Sequence, residues 1–303
     1  MKILICSDGT DPEDKPAKLG GLLAGPCQAA TTLLGIAEKS ADEKPLRAAL
    51  ESEVELLRSY GVSPEIVVLE GEPIRQILQQ TAEQPYDIVI IGARRRRNTG
   101  LYWYSERTYE VIKAIPPPVL VALGDCKQLK RFLVCTGGKH FIEEAVQLTG
   151  KVAAAVGASV TLLHVMAEPP AIYADLVQLE EDVDQLLESG SELGLNLRRQ
   201  KEDLERLGVA AEVRIRHGIV LDQVFLEARA EDYDLIVTGS SQARGPLRHY
   251  IMGDLTRSIV NRAHCPVLVA RAGKSAGAVS LWASLKRLFA PTPPVNPPSP
   301  ANS

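Results

Sequence analysis

The chain repeats itself, and an internal repeat restricts the possible folds more than any single motif, because each copy must be able to build the same unit. Lys2-Ile3-Leu4-Ile5-Cys6-Ser7-Asp8-Gly9-Thr10 matches Arg131-Phe132-Leu133-Val134-Cys135-Thr136-Gly137-Gly138-Lys139 in a basic residue, an apolar run, a cysteine, a hydroxyl and a glycine turn. Further along, Tyr86-Asp87-Ile88-Val89-Ile90-Ile91-Gly92-Ala93 matches Tyr233-Asp234-Leu235-Ile236-Val237-Thr238-Gly239-Ser240, and Pro118-Val119-Leu120-Val121-Ala122 matches Pro266-Val267-Leu268-Val269-Ala270. The anchors keep one order, so the 303 residues divide into two halves, each long enough to bury a sizeable core. The expected domains are 1–125 and 130–272, joined by a few polar residues, so the halves should pack closely.

Between the anchors, short β-branched runs alternate with longer helical stretches, which argues for βαβ units on a parallel sheet. In the second half the pattern predicts strands Phe132–Thr136, Ser159–Val165, Ala211–Arg216, Leu235–Thr238 and Val267–Ala270. Helices are predicted over Ile142–Val156, Tyr173–Leu207, Val220–Ala230 and Leu255–Arg262. The first half follows the same list with a shorter long helix, Lys44–Tyr60. Its opening helix carries Gly20, Gly21 and Gly25, each costing about 1 kcal/mol of helix propensity relative to Ala. Residues 273–303 change character. Leu281, Leu285 and Leu288, with Trp282 and Phe289 beside them and Lys286-Arg287 interleaved, have helical spacing. They predict a short amphipathic helix docked on the protein, with a weak membrane-surface or partner contact as the alternative. The Pro-rich end is expected to be disordered.

Composition removes several classes of function. A formal charge of −4 gives no general reason to expect nucleic acid. No apolar run approaches the roughly 18 residues of a membrane span. The N-terminus runs straight into an apolar strand without a signal-peptide h-region. Five cysteines without a spaced framework suit a reducing compartment, so the expected location is the cytoplasm. Cys6 and Cys135 lie in apolar strand runs and are expected to be packed small hydrophobes rather than nucleophiles. No metal-ligand spacing occurs among the histidines, and no structural metal is predicted. His164 and His217 fall at strand ends, where acid–base work is conceivable. No motif supplies a nucleophile or carboxylate beside them, so they are taken as structural or ligand-edge residues.

Leu162-Leu163-His164-Val165, Asp234-Leu235-Ile236-Val237-Thr238-Gly239-Ser240 and Cys265-Pro266-Val267-Leu268-Val269, following a first strand that ends Asp8-Gly9-Thr10 in one half, resemble the universal stress protein family. The resemblance covers about nine tenths of the chain. It implies two tandem flavodoxin-like (adenine nucleotide alpha hydrolase-like) α/β domains, each a five-stranded parallel sheet with helices on both faces. It also implies that the strands Val119–Ala122 and Val267–Ala270 pair across a pseudo-twofold axis, making an intramolecular pseudo-dimer. Whether two chains associate further stays open.

In that family, nucleotide-binding members hold ATP at the carboxyl edge of the sheet. Their phosphate loop reads Gly, two residues, Gly, nine residues, then Gly followed by Ser or Thr, and a first-strand Asp serves the nucleoside end. Small residues there let backbone amides and a helix N-terminus reach the phosphates. Neither half satisfies the pattern. The first keeps Asp8, Gly9 and Gly92, but Arg95 stands at the second glycine and Ser105-Glu106 close the loop. The second keeps Gly239, Gly245 and Gly253, but Gln242 takes the second glycine, the spacing is one residue long, Asp254 replaces the hydroxyl residue and Gly137 replaces the Asp.

The run Arg94-Arg95-Arg96-Arg97 reads in two ways: an anion or acidic-partner site with bidentate grip, or a solvated loop paired with carboxylates. Tyr102, Trp103 and Tyr104, which follow it, are expected to pack between the halves or against a partner. Asp8 either contacts a ligand or caps its own turn. The leading expectation is a binding and regulatory module, non-catalytic, with degenerate ATP sites and with protein partners. The alternative is an ATP-binding switch with slow hydrolysis in the second half, using Gly239, Ser240, Gly245 and Gly253 for phosphate and Val165 at the adenine end.

Overall fold

The computed structural model describes residues 1–9, 15–39, 42–93, 106–137, 143–167, 183–242, 250–251 and 254–271. The expectations for Arg94–Arg97, Tyr102–Tyr104, Gly245, Gly253 and the segment 273–303 lie outside these described residues. The first half runs β1 (Lys2–Ser7), α1 (Lys15–Ala24), β2 (Ala30–Ala37), α2 (Glu43–Ser59), β3 (Glu65–Glu70), α3 (Pro73–Glu83), β4 (Ile88–Gly92), α4 (Glu106–Ala114) and β5 (Val119–Ala122). The second runs β6 (Arg131–Cys135), α5 (Glu143–Val156), β7 (Ser159–Met166), α6 (Val183–Glu188), α7 (Glu192–Arg206), β8 (Ala211–His217), α8 (Val220–Ala230), β9 (Leu235–Gln242), β10 (Tyr250–Ile251), α9 (Asp254–Arg262) and β11 (Val267–Arg271).

The strands join in one continuous order, β3-β2-β1-β4-β5-β11-β9-β6-β7-β8, with β10 added antiparallel to β9. All neighbours on the main path are parallel except β5 and β11, which meet antiparallel at the seam between the halves. Each half is doubly wound with its switch point between its first and fourth strands; flavodoxin itself is ordered 2-1-3-4-5. Along β1 the side chains alternate, Ile3 and Ile5 entering one core and Leu4 the other, as the two-residue period of a strand covered on both faces requires. Each of the two cores continues through both halves, one gathering Leu50, Leu57, Leu197 and Leu204, the other Tyr109, Ile112, Phe225 and Ile259.

The glycine-rich α1 forms because its glycines sit where larger residues do not fit. A Cβ on Gly20 would lie 2.3 Å from Ile5 Cδ1, and one on Gly21 would lie 2.4 Å from Tyr60 Cδ2. Close packing on β1 and α2 thus outweighs the propensity cost. The helix expected over Tyr173–Leu207 differs in its described part, where it is two helices broken at Ser189–Ser191. Ser189 Oγ donates to the Leu186 carbonyl at 2.7 Å, and Ser191 Oγ accepts the Gly194 amide at 3.1 Å. Those side-chain bonds end one helix and cap the next, and the amphipathic period alone does not reveal them.

At the seam, Val121, Leu120 and Val119 face Val267, Leu268 and Val269. Leu120 and Leu268 are repeat equivalents that oppose each other, so the pseudo-twofold axis passes through this pair, as the resemblance implied. Tyr109 and Arg257 are also equivalents that meet, the guanidinium standing 5.2 Å from the ring centroid.

Candidate functional site

Where the strand order reverses between β1 and β4, α1 packs on one face of the sheet and α4 on the other, which leaves a crevice at the carboxyl edge. In the first half this crevice is a cavity of about 400 Å³. Cys6, Ser7 and Asp8 enter it from β1, Gly92 and Ala93 from β4, Thr108 and Val111 from α4, and Leu34, Ile36 and Ile77 supply an apolar wall. A cavity of this size with an apolar wall and a few polar groups suits a small organic ligand.

The end of β1 is held by a buried carboxylate. Ser7 Oγ donates to Glu53 Oε1 at 2.5 Å and accepts the Gly9 amide at 3.0 Å, and Glu53 is only 3% exposed. Gly9 turns the chain with φ +64°, a left-handed conformation that glycine adopts without a Cβ penalty. Ser7 makes the bond across this turn, and Asp8 stands exposed on the cavity wall. Sequence reasoning missed Glu53. The available signal was a carboxylate on the apolar stripe of α2, among the buried Leu46, Leu50, Val54 and Leu57.

The second half repeats the device in neutral form. Thr136 Oγ1 donates to Gln200 Oε1 at 3.0 Å, and the Thr136 carbonyl lies 3.0 Å from His164 Nδ1, which donates to it in the tautomer protonated there. That contact makes His164 a strut of the β6 end. His217 closes β8 opposite Met166. Val165 is half-buried against the second core. Gly239 is exposed within β9, with none of the described residues within 4 Å of where a Cβ would stand, and its carbonyl accepts from Thr256 Oγ1 at 2.8 Å. Ser240 lies in β9 opposite Arg271 of β11.

Burial pushes the Cys6 and Cys135 thiols up to about 12, so neither is a thiolate near neutral pH. Both behave as the packed hydrophobes expected of them. A second cavity, about 630 Å³, opens at the opposite, amino edge of the second half between the linker and α8, lined by Cys126, Phe225, Tyr233, His264 and Cys265 among others. It contains none of the candidate ligand-binding residues named from the sequence.

The universal stress protein family model matches residues 1–122 and again residues 128–271. The chain belongs to the universal stress protein family. Two curated relatives each align with about half of it. Universal stress protein MJ0531 of Methanocaldococcus jannaschii is 27% identical over 146 residues, covering 48% of this chain and 84% of the relative. Universal stress protein YxiE of Bacillus subtilis is 25% identical over 146 residues, covering 46% and 98%. A universal stress protein from Archaeoglobus fulgidus DSM 4304 superposes with TM-score 0.67 at 16% identity, over 90% of this chain and 98% of that one. A putative universal stress protein from Pseudomonas aeruginosa UCBPP-PA14 gives 0.65 at 17%, over 95% and 96%. At these identities the structural matches establish the tandem fold and nothing finer. Among the described residues, no helix is long and apolar enough to cross a membrane.

Proposed function

We propose that this universal stress protein is a non-catalytic binding and regulatory module whose small-molecule site is the first half's carboxyl-edge cavity, and that it acts through protein partners. The cavity at the β1/β4 switch point, with Asp8 on its wall, carries the reading. The non-catalytic part is supported by the engagement of the reactive side chains. Ser7 is bonded to Glu53, His164 faces a backbone carbonyl, and Cys6 is held as a thiol.

ATP fits this cavity at one end. The apolar wall of Leu34, Ile36 and Ile77 and the carboxylate of Asp8 suit a base and its sugar hydroxyls. The phosphate end is less suited, because the sequence has Arg95 and Ser105-Glu106 where the family's loop has its second glycine and its closing Gly followed by Ser or Thr. Among the described residues lining the cavity there is no Lys or Arg. A second reading, an ATP switch in the second half, is favoured by the exposed backbone at Gly239, where none of the described residues stands within 4 Å of a Cβ position.

Thermal unfolding with millimolar Mg-ATP and, separately, adenosine separates these readings when Gly92→Arg and Gly239→Arg are run beside the native chain. A ligand at about a hundred times its dissociation constant adds roughly 2.7 kcal/mol of stability. The first-half reading expects a shift that Gly92→Arg abolishes and Gly239→Arg leaves intact. The reverse pattern moves the site to the second half, and no shift with either compound counts against an adenine ligand.

A further inference from the structure

Arg271, at the end of β11, is 5% exposed, and its guanidinium reaches across the seam into the first half. Nε donates to the Pro117 carbonyl at 3.2 Å, and one terminal nitrogen donates to the Ile115 carbonyl at 2.9 Å and to the Ile112 carbonyl. Ile112 lies in the last turn of α4, and Ile115 and Pro117 follow it, so a cation sits on carbonyls at the negative end of that helix. The planar fork of Arg suits several such contacts at once, which a single ammonium does not reproduce. The repeat equivalent of Arg271 is Leu123, so the clamp acts in one direction: the second half grips the first. The same α4 brings Thr108 and Val111 to the first-half cavity.

We infer that Arg271 is a positioning residue through which the second half holds α4 and sets the wall of the first half's cavity. The ligand consequence rests on the reading of that cavity as the binding site. The clamp can be read without any ligand, because Cys6 lines the cavity and Cys135 is its repeat equivalent away from it. Both side chains are partly buried and desolvation raises both thiols to about 12, so each labels slowly in the closed structure and faster as its surroundings open.

The test compares the full native chain with Arg271→Met and Arg271→Lys under native conditions. Each is pulsed with iodoacetamide, and every cysteine is quantified by peptide mass spectrometry. Arg271→Met is expected to raise Cys6 labelling relative to Cys135 by roughly tenfold, the scale of losing one charge-assisted hydrogen bond in a local opening equilibrium. Amide exchange over residues 106–115 should rise in parallel, and Arg271→Lys should fall between the two. Should Arg271→Met not fold, the same ratio is read on Arg271→Lys. An unchanged ratio, or Cys6 and Cys135 rising together, overturns the inference, the second outcome being a loss of overall stability alone. A raised ratio in a chain that shows no ligand shift leaves the clamp standing and removes the cavity's assignment.

Discussion

Two glycines in left-handed conformation carry different physical burdens, and each yields a separate expectation. Gly61 has φ +76° with nothing within 4 Å of where a Cβ would stand. Gly61→Ala should therefore cost only the conformational term, about 1 kcal/mol. Gly124, with φ +64°, places that Cβ 1.9 Å from the His264 carbonyl oxygen, so the linker passes β11 only because the residue has no side chain. Gly124→Ala should add an overpacking cost and reach about 3 kcal/mol. Urea denaturation checks both, as a lower midpoint with unchanged slope. An equal effect at the two sites would mean that the linker has room to move. Glu53 and Gln200 show the same sensitivity to surroundings, since repeat-equivalent positions bond a strand-end hydroxyl with a carboxylate in one half and an amide in the other.

At the scale of elements, β8 and α8 are tied by a buried carboxylate whose first-half equivalent is a neutral amide. Glu227 is fully buried and accepts from Arg214 at 2.7 Å, Arg216 at 2.6 Å and the Tyr233 hydroxyl at 3.0 Å. In the first half the corresponding Gln80 donates to the Tyr86 hydroxyl at 2.9 Å, and Val67 and Leu69 of β3 stand where β8 has the arginines. Removing one partner strands the others, so Glu227→Ala should cost about 3 kcal/mol in a denaturant titration. The triple change Glu227→Gln, Arg214→Val, Arg216→Leu, which copies the first half, should restore most of that loss.

Glu231 adds a pH dependence to the same region. Hydrogen bonds from Arg131 and then Arg214 hold its carboxyl below the ordinary 4.5. A depressed folded value means that the contribution is complete above the unfolded value and is lost as pH falls through the folded one. The stability advantage of the native chain over Glu231→Gln should therefore be constant near neutrality, begin to fall as pH drops below the ordinary carboxylate value and be lost as it passes through the depressed one. An advantage that persists in acid would show that these contacts act through packing instead of charge.

In the whole molecule, the seam turns two parallel sheets into one and leaves β3 and β8 as its edges. A sheet edge presents unpaired amides and carbonyls, and pairing β5 with β11 satisfies two such edges inside one chain. Leu120 and Leu268, both 2% exposed, face each other on the axis. Leu120→Ala and Leu268→Ala should each cost about 2–4 kcal/mol, and the double substitution should cost less than the sum by about 1 kcal/mol. Strict additivity by chemical denaturation would mean that the two halves are held elsewhere, with Arg271 and the Tyr109–Arg257 contact the next places to look.

The repeat and the strand and helix order were legible in the residues, because they depend on hydrophobic period and on turn residues near in sequence, whereas the pairing of the fifth strands came from the resemblance to the family. The ends of β1 and β4 follow from the strand pattern, and Asp8 and Gly92, which the resemblance put at a ligand edge, line the same cavity. The break at Ser189–Ser191 and the strand β10 were not legible, because local side-chain bonds and a short antiparallel pairing leave no period. Nor did the residues announce Glu53 under Ser7 or Arg271 over α4. Those contacts join positions far apart in the chain, and burying a charge is favourable only where distant hydroxyls or carbonyls converge on it. The sequence by itself determined the family and the two-copy plan, because both rest on motifs and a repeat that are read along the chain. The tertiary structure alone decided that Glu53 holds the end of β1 beside the first-half cavity and that Arg271 reaches the end of α4 across the seam, because both contacts join positions far apart in the chain.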